Sequence, residues 1–91
     1  MGKASLKVSG GKMINTKVEL RNGSIISVQF TGDFFLHPEE LIEVIESSLF
    51  GKRLSEDDLA QTIDHVLQDH NAQLIGASAQ DFARVIMEAS Q

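Results

Sequence analysis

The chain has 91 residues and no cysteine, so it can build one small hydrophobic core but neither a disulfide nor a thiolate metal site. Its apolar runs are only a few residues long, which argues against a membrane span or a signal-peptide core. The net charge of −5 is divided unevenly: residues 1–32 hold five cations and one acid, a balance of +4, and residues 33–91 hold three cations and twelve acids, a balance of −9. We expect one domain over residues 1–91, located in the cytoplasm.

Residues 1–32 show the two-residue alternation of β-strands. A short first strand is predicted around residues 5–9, followed by a turn at Gly10-Gly11, and a second strand over residues 14–21. Asn22-Gly23 indicates a two-residue hairpin, because a type I′ turn needs a positive φ at both central positions. The inner face of a third strand is assigned to Ile26, Val28 and Phe30.

From residue 33 onward the apolar residues recur every three to four positions, as in helices. A first helix is predicted from about Pro38 to about Phe50 and closed by Gly51, and two more begin at the N-caps Ser55 and Ser78. The segment around Leu74 is too short to assign. The order β-β-β-α-α-α predicts an α+β fold: a three-stranded antiparallel meander (residues 1–32) followed by helices packed on one face (residues 33–91), a two-layer sandwich.

The segment between the last strand and the first helix contains several distinctive residues. Gly32 permits backbone angles that a Cβ would hinder, and Pro38 presets φ for a first helical turn. Asp33 is predicted to cap the helix start, with a role as a base or ligand as the alternative. Phe34 and Phe35 are adjacent in an extended segment and should point to opposite sides, so one of them is a candidate interface anchor.

Gly10-Gly11-Lys12 is the most suggestive candidate site, because a glycine-rich backbone with a lysine can contact phosphate. It is not a P-loop, since Leu6 and Met13 stand where that motif needs Gly and Ser or Thr. The alternative interpretation is a hairpin turn with one solvated lysine.

The remaining polar residues do not form a recognisable active site. His65 and His70 are about 140° apart around a helix and cannot share a metal, while His65 and Asp69 could, but two ligands make no site. His37 can be a plain loop residue or part of an interface. The basic sheet could face an anionic ligand, but it lacks the aromatic side chains typical of nucleic-acid binding.

Four blocks of the sequence, taken together, resemble a known family. They are Gly10-Gly11-Lys12, the Asn22-Gly23 hairpin, Thr31-Gly32-Asp33-Phe34-Phe35 and Pro38-Glu39-Glu40. They are similar to the C-terminal accessory domain of lipoate–protein ligases, whose pattern reads approximately Pro-Gly-Gly-Lys, a hairpin, and Gly-Asp-Phe-Phe followed shortly by Pro-Glu. The resemblance covers nearly the whole chain, and its main departure is Ser9, where a proline is common.

This resemblance implies a fold like that of the iron–sulfur scaffold proteins and a heterodimer with a catalytic ligase subunit. That subunit binds ATP, Mg²⁺ and lipoate, forms lipoyl-AMP and transfers the lipoyl group to a lysine of carrier domains. The accessory chain is implied to hold no cofactor or metal, to be inactive alone and to close over the large subunit during activation. Its expected site residues are Gly10, Gly11 and Lys12 near the adenylate and Phe34, Phe35 and His37 at the partner interface.

Two other function classes are considered. An iron–sulfur scaffold is suggested by the shared fold, but the chain has no cysteine to hold a cluster. A small binding module with an unrelated partner is the remaining alternative, with neither nucleic acid nor membrane as the expected partner. Co-purification with a ligase catalytic subunit would distinguish it from the accessory role.

Overall fold

The computed structural model describes residues 2–7 and 12–90. Five strands and three helices occur in this part of the chain. In order they are β1 (Gly2–Lys7), β2 (Met13–Arg21), β3 (Ser24–Gly32), β4 (Phe35–His37), α1 (Leu41–Ser48), α2 (Glu56–Asp69), β5 (Gln73–Ile75) and α3 (Ala79–Ala89). None of these helices is long and apolar enough to cross a membrane.

The predicted antiparallel meander is confirmed, with the strand order β1-β2-β3. The hairpin between β2 and β3 turns at Asn22 and Gly23, whose φ angles of 54° and 80° have the positive sign that a type I′ turn requires. Strand β1 begins at Gly2, earlier than predicted. The residues expected to end it, Val8 and Ser9, lie outside the described residues.

A β-bulge changes which residues of β3 enter the core. Glu19 pairs with Ser27 and the next residue of β2, Leu20, pairs with Ile25, so Ile26 is an extra residue in β3. The prediction that Ile26 belongs to the inner face is therefore wrong, because Ile25 is fully buried and Ile26 is half-buried. The core face of β3 consists of Ile25, Val28 and Phe30.

The helices cover one face of this sheet, as predicted. Helix α3 packs against β1 and β2, α2 packs on α3, and α1 packs against α2 and the free side of β3. Phe82 of α3 is at the centre, with its ring edge-to-face against Phe30 (centroids 4.8 Å apart) and against Phe34 (4.9 Å). Such aromatic pairs add about 0.5–1.5 kcal/mol beyond the burial of their area.

The chain downstream of residue 33 is not entirely helical. Strand β4 pairs antiparallel with β5 in a second, two-stranded sheet, with Phe35 opposite Ile75 and His37 opposite Gln73. The predicted order β-β-β-α-α-α is therefore incomplete. Three residues are too few to show an alternation, which is why neither strand could be recognised from its pattern.

The ends of the helices agree with the sequence in part. Helix α1 begins at Leu41, later than predicted, and Pro38 lies in the preceding turn, where its carbonyl accepts the Leu41 N–H at 3.1 Å. The predicted helix cap by Asp33 is wrong, because the N-cap position belongs to Glu40, which makes no side-chain cap. Gly51 adopts a φ of +81° two residues after the C-cap residue of α1.

The two predicted N-caps have different outcomes. Ser78 caps the start of α3 and forms a complete capping box with Asp81: the Asp81 N–H donates to the Ser78 hydroxyl, and the Asp81 carboxylate accepts the Ser78 N–H at 2.9 Å. Ser55 occupies the N-cap of α2 but makes no side-chain cap. The start of α2 is instead favoured by three acids in its first turn, which complement the helix dipole.

The outer edge of β3 is partly closed by the chain around α1. The Ile25 N–H donates to the Lys52 carbonyl at 2.9 Å, and the Phe30 N–H donates to the Glu46 carboxylate at 2.9 Å. Burial raises the pKa of Glu46 above its ordinary value, the bond from Phe30 lowers it, and the neighbouring Glu43 raises it. Closing the edge in this way removes backbone groups that would otherwise pair with another chain.

Candidate functional site

The two adjacent phenylalanines point in opposite directions, as the alternation predicted. Phe34 is half-buried and packs its ring against Phe82 in the core. Phe35 is 53% exposed and stacks on the ring of His37, with centroids 6.4 Å apart and planes within 5°. The outward member of the pair is therefore Phe35.

Phe35, His37 and Ile75 together form what we call the β4–β5 patch. Ile75 stands directly opposite Phe35 in the small sheet and is 57% exposed, so two large apolar side chains are presented side by side. A hollow of about 430 Å³ lies beside the patch, between Phe35, Glu39 and Ile42. An exposed aromatic next to a hollow is the arrangement found at the centres of protein interfaces.

Lys12 lies next to this patch. Its aliphatic stem crosses Gly76, the residue after Ile75: a Cβ added to Gly76 would stand 3.3 Å from Lys12 Cγ and 3.6 Å from Phe34 Cα. Gly76 has a φ of +92°, a conformation that favours glycine. The absence of a side chain at Gly76 thus leaves room for Lys12 against the small sheet.

The connection between Lys12 and the phenylalanines is fixed by the end of the large sheet. Ile14 pairs with Gly32, and the Asp33 N–H donates to the Met13 carbonyl at 2.9 Å. A Cβ on Gly32, whose φ is +151°, would collide with the Met13 carbonyl. Gly32 therefore allows the chain to pass close to the start of β2 and to deliver Phe34 beside Lys12.

The structure thus brings together three of the predicted site residues, Lys12, Phe35 and His37. Gly10 and Gly11, predicted to share the site with Lys12, lie outside the described residues. Sequence reasoning missed Ile75 and Gly76, which complete the site from β5. The only signal for them was a short apolar pair followed by a glycine.

The histidines of α2 do not form a second site. His65 Nε2 lies 3.3 Å from the Asp69 carboxylate, as the i, i+4 spacing allows, and both side chains are exposed. Over residues 2–7 and 12–90, no group of three or more His, Asp or Glu side chains could hold a metal ion.

A different surface lies on the side of the large sheet that the helices leave uncovered. We call it the open sheet face, and its side chains alternate with those of the core. It includes Lys3, Ser5, Lys7, Asn15, Lys17, Glu19, Ser27, Gln29 and Thr31. Most of these residues line a shallow concavity of about 500 Å³.

Comparison with known proteins points to one family. The family described as "Bacterial lipoate protein ligase C-terminus" matches residues 3–86. A solved structure with a similar fold is a chain from an archaeal lipoylation system of Thermoplasma acidophilum, described as a bi-partite lipoate protein ligase and its E2 lipoyl domain. The two chains share 21% sequence identity with a TM-score of 0.78, over 92% of this chain and 91% of the other. No curated protein matches the chain.

Proposed function

The chain belongs to the bacterial lipoate protein ligase C-terminus family, and we propose that it is the accessory subunit of a lipoate–protein ligase whose catalytic subunit is a separate protein. The catalytic subunit binds ATP, Mg²⁺ and lipoate, and the accessory subunit is required for forming lipoyl-AMP. Transfer of the lipoyl group to the lysine of a carrier domain follows. The solved relative from Thermoplasma acidophilum, which comes from a bi-partite ligase, supports this division between two chains.

The observation that carries the proposal is the position of Lys12 beside the β4–β5 patch. Phe35 and Ile75 offer an exposed apolar pair suited to a stable contact with the catalytic subunit. Docking through this pair brings the neighbouring Lys12 to the same interface, since its stem crosses Gly76. One surface then provides both attachment and a positive charge.

Lys12 is the group we assign to the chemistry. Attack of the lipoate carboxylate on the α-phosphorus of ATP forms the acyl–phosphate bond of lipoyl-AMP and releases pyrophosphate. Negative charge increases on the oxygens of the α-phosphorus and of the departing pyrophosphate during this step. A cation held at the interface stabilises that charge, and removing one such contact typically costs about 3 kcal/mol. Transfer to the carrier lysine releases AMP without pyrophosphate, so it needs Lys12 less.

Reconstitution with purified proteins tests the proposal. The chain alone, given ATP, Mg²⁺, lipoate and an apo carrier domain, should form neither lipoyl-AMP nor modified carrier. The catalytic subunit with the chain should form both. Turnover by the purified chain alone, or full activity of the catalytic subunit without it, would contradict the accessory role and favour a binding module with an unrelated partner.

A further inference from the structure

Two lysines face each other on the open sheet face. Lys3 of β1 lies directly opposite Lys17 of β2, and both side chains are exposed. Directly opposite residues of an antiparallel pair have their Cβ atoms about 5 Å apart, so like charges in such a pair destabilise the sheet. This pairing of two lysines therefore lowers the stability of the fold. It occurs in a chain that has more acidic than basic residues and a net charge of −5.

Among the described residues, neither Lys3 nor Lys17 forms an ion pair that would offset their repulsion. No carboxylate there lies within 4.0 Å of either ammonium group. Lys7 adds a third cation to the same face, and the acid on the outward side of β2, Glu19, is half-buried opposite Ser27. Apart from Glu19, the side chains around the lysines are mostly hydroxyls and amides, which can donate hydrogen bonds to oxygen anions.

We propose that the open sheet face docks an acidic surface of the apo carrier domain that receives the lipoyl group. This inference rests on the proposed function. Carboxylates of the carrier would lie between Lys3 and Lys17 and relieve their repulsion, with Gln29 and Asn15 as hydrogen-bond donors at the sides. The concavity along the strands is shallow and open, which suits the side chains of a protein surface better than an enclosed small molecule.

The polarity of the face favours a transient partner over a permanent one. Stable subunit interfaces have an apolar, desolvated centre, whereas this face has no large apolar side chain except Met13 at its border. Charge complementarity mainly accelerates association and weakens with salt, which fits a protein substrate that must arrive and leave in each cycle. The face also lacks aromatic side chains on which nucleic-acid bases stack.

Direct binding of the cognate apo carrier domain to the full 91-residue chain tests this assignment without any ligase activity. The test variant is Lys3→Gln with Lys17→Gln, and the matched control is Lys52→Gln with Arg84→Gln, which removes the same charge elsewhere. Since an exposed ion pair contributes modestly, we expect the test variant to weaken binding roughly threefold to tenfold at low salt. Added NaCl should weaken binding of the wild-type chain and affect the test variant less. The control should bind like the wild type.

The free chain provides a second measurement. Because Lys3→Gln with Lys17→Gln removes a like-charge pair, thermal unfolding of this variant should occur at the same or a higher temperature than that of the wild type. Weaker binding can then be attributed to lost contacts and not to unfolding.

The following results would overturn the inference. They are no detectable carrier binding by the wild-type chain, carrier binding by the test variant that is as tight as that of the wild type, and lysine-dependent binding of single-stranded DNA as strong as that of the carrier. Self-association of the chain that the same variant abolishes would overturn it as well. The proposed function fails differently, through a chain that binds the carrier but leaves lipoyl-AMP formation by the catalytic subunit unaffected. The two failures are therefore distinguishable.

Discussion

The β4–β5 patch and the open sheet face are both exposed, yet they differ in chemistry. The patch presents Phe35 and Ile75, two large apolar side chains, whereas the open sheet face presents lysines, amides and hydroxyls. Apolar anchors provide most of the affinity of lasting interfaces, and charges mainly provide rate and specificity. A small domain with both surfaces is suited to hold one protein permanently and to receive another transiently.

Lys12 lies beside the β4–β5 patch, and its removal should have the largest effect on activity. Lys12→Ala should slow lipoyl-AMP formation on the order of a hundredfold, corresponding to about 3 kcal/mol of lost charge stabilisation. Transfer from synthetic lipoyl-AMP should be largely retained, because this step releases no pyrophosphate. The two half-reactions are measured separately by pyrophosphate release and by carrier modification.

Lys52→Ala is the matched control, since Lys52 is an exposed lysine beside the opposite end of β3. Binding of the Lys12 variant to the catalytic subunit is measured in parallel, because lost docking would mimic lost chemistry. An equal loss of rate in both half-reactions, with unchanged binding to the catalytic subunit, would show that Lys12 has no specific role in adenylation. Unchanged adenylation would identify it as a solvated turn residue.

The inward member of the phenylalanine pair should matter for stability. Phe34→Ala removes the edge-to-face contact with Phe82 and opens a cavity in the core. Since Phe34 is only half-buried, we expect Phe34→Ala to lower the free energy of unfolding by about 2–3 kcal/mol. This is at or below the smallest losses typical of Phe→Ala at fully buried sites. Chemical denaturation of the isolated chain measures this loss.

The outward member should matter for binding instead. Phe35→Ala should weaken the complex with the catalytic subunit roughly thirtyfold, which corresponds to about 2 kcal/mol, and leave the isolated chain folded. Phe50→Ala is the control, because Phe50 is 67% exposed and lies outside the patch. If Phe35→Ala and Phe50→Ala bind alike, the anchor lies elsewhere.

The smallest expected effect concerns Glu46, which lies apart from both surfaces. Its pKa is raised above the ordinary value of 4.5, chiefly by burial, so the folded state holds its proton more tightly than the unfolded state does. The resulting stabilisation is complete below the unfolded-state pKa and is lost as the pH rises through the folded-state pKa. Ionisation of the Glu46 carboxylate at neutral pH therefore lowers the free energy of unfolding.

Glu46→Gln should thus stabilise the chain slightly at pH 7, by less than about 1 kcal/mol because solvent screens the half-buried carboxylate. The amide oxygen of the variant can still accept the Phe30 N–H. The gain should disappear below pH 4.5. Denaturation at several pH values checks this, with Glu88→Gln as an exposed control. Loss of stability at pH 7 would show that the charge strengthens the bond to Phe30 by more than its burial costs.

The features that could be predicted from the sequence depend on residues that are close to each other along the chain. The Asn22-Gly23 turn, the Ser78 capping box and the divergence of Phe34 and Phe35 each follow from local geometry. The bulge at Ile26 was not predictable, because Ile25 and Ile26 are both apolar and alternation cannot decide which one is buried.

The candidate site was only half predictable for a related reason. Lys12 and Phe35 belong to recognisable local patterns, but Ile75 and Gly76 reach the site through the pairing of β4 with β5, two short strands separated by two helices. Three residues show no periodicity, and contacts between distant segments depend on how the helices pack. The sequence therefore indicated Lys12 and Phe35 as site residues, but it did not indicate Ile75 and Gly76.

The role in activation is tested most directly by ATP–pyrophosphate exchange. The catalytic subunit is assayed with lipoate, Mg²⁺ and labelled pyrophosphate, without a carrier domain, in the presence and absence of the chain. We predict rapid exchange only with the chain and a rate that saturates at one chain per catalytic subunit. Equal exchange with and without the chain would contradict its role in forming lipoyl-AMP.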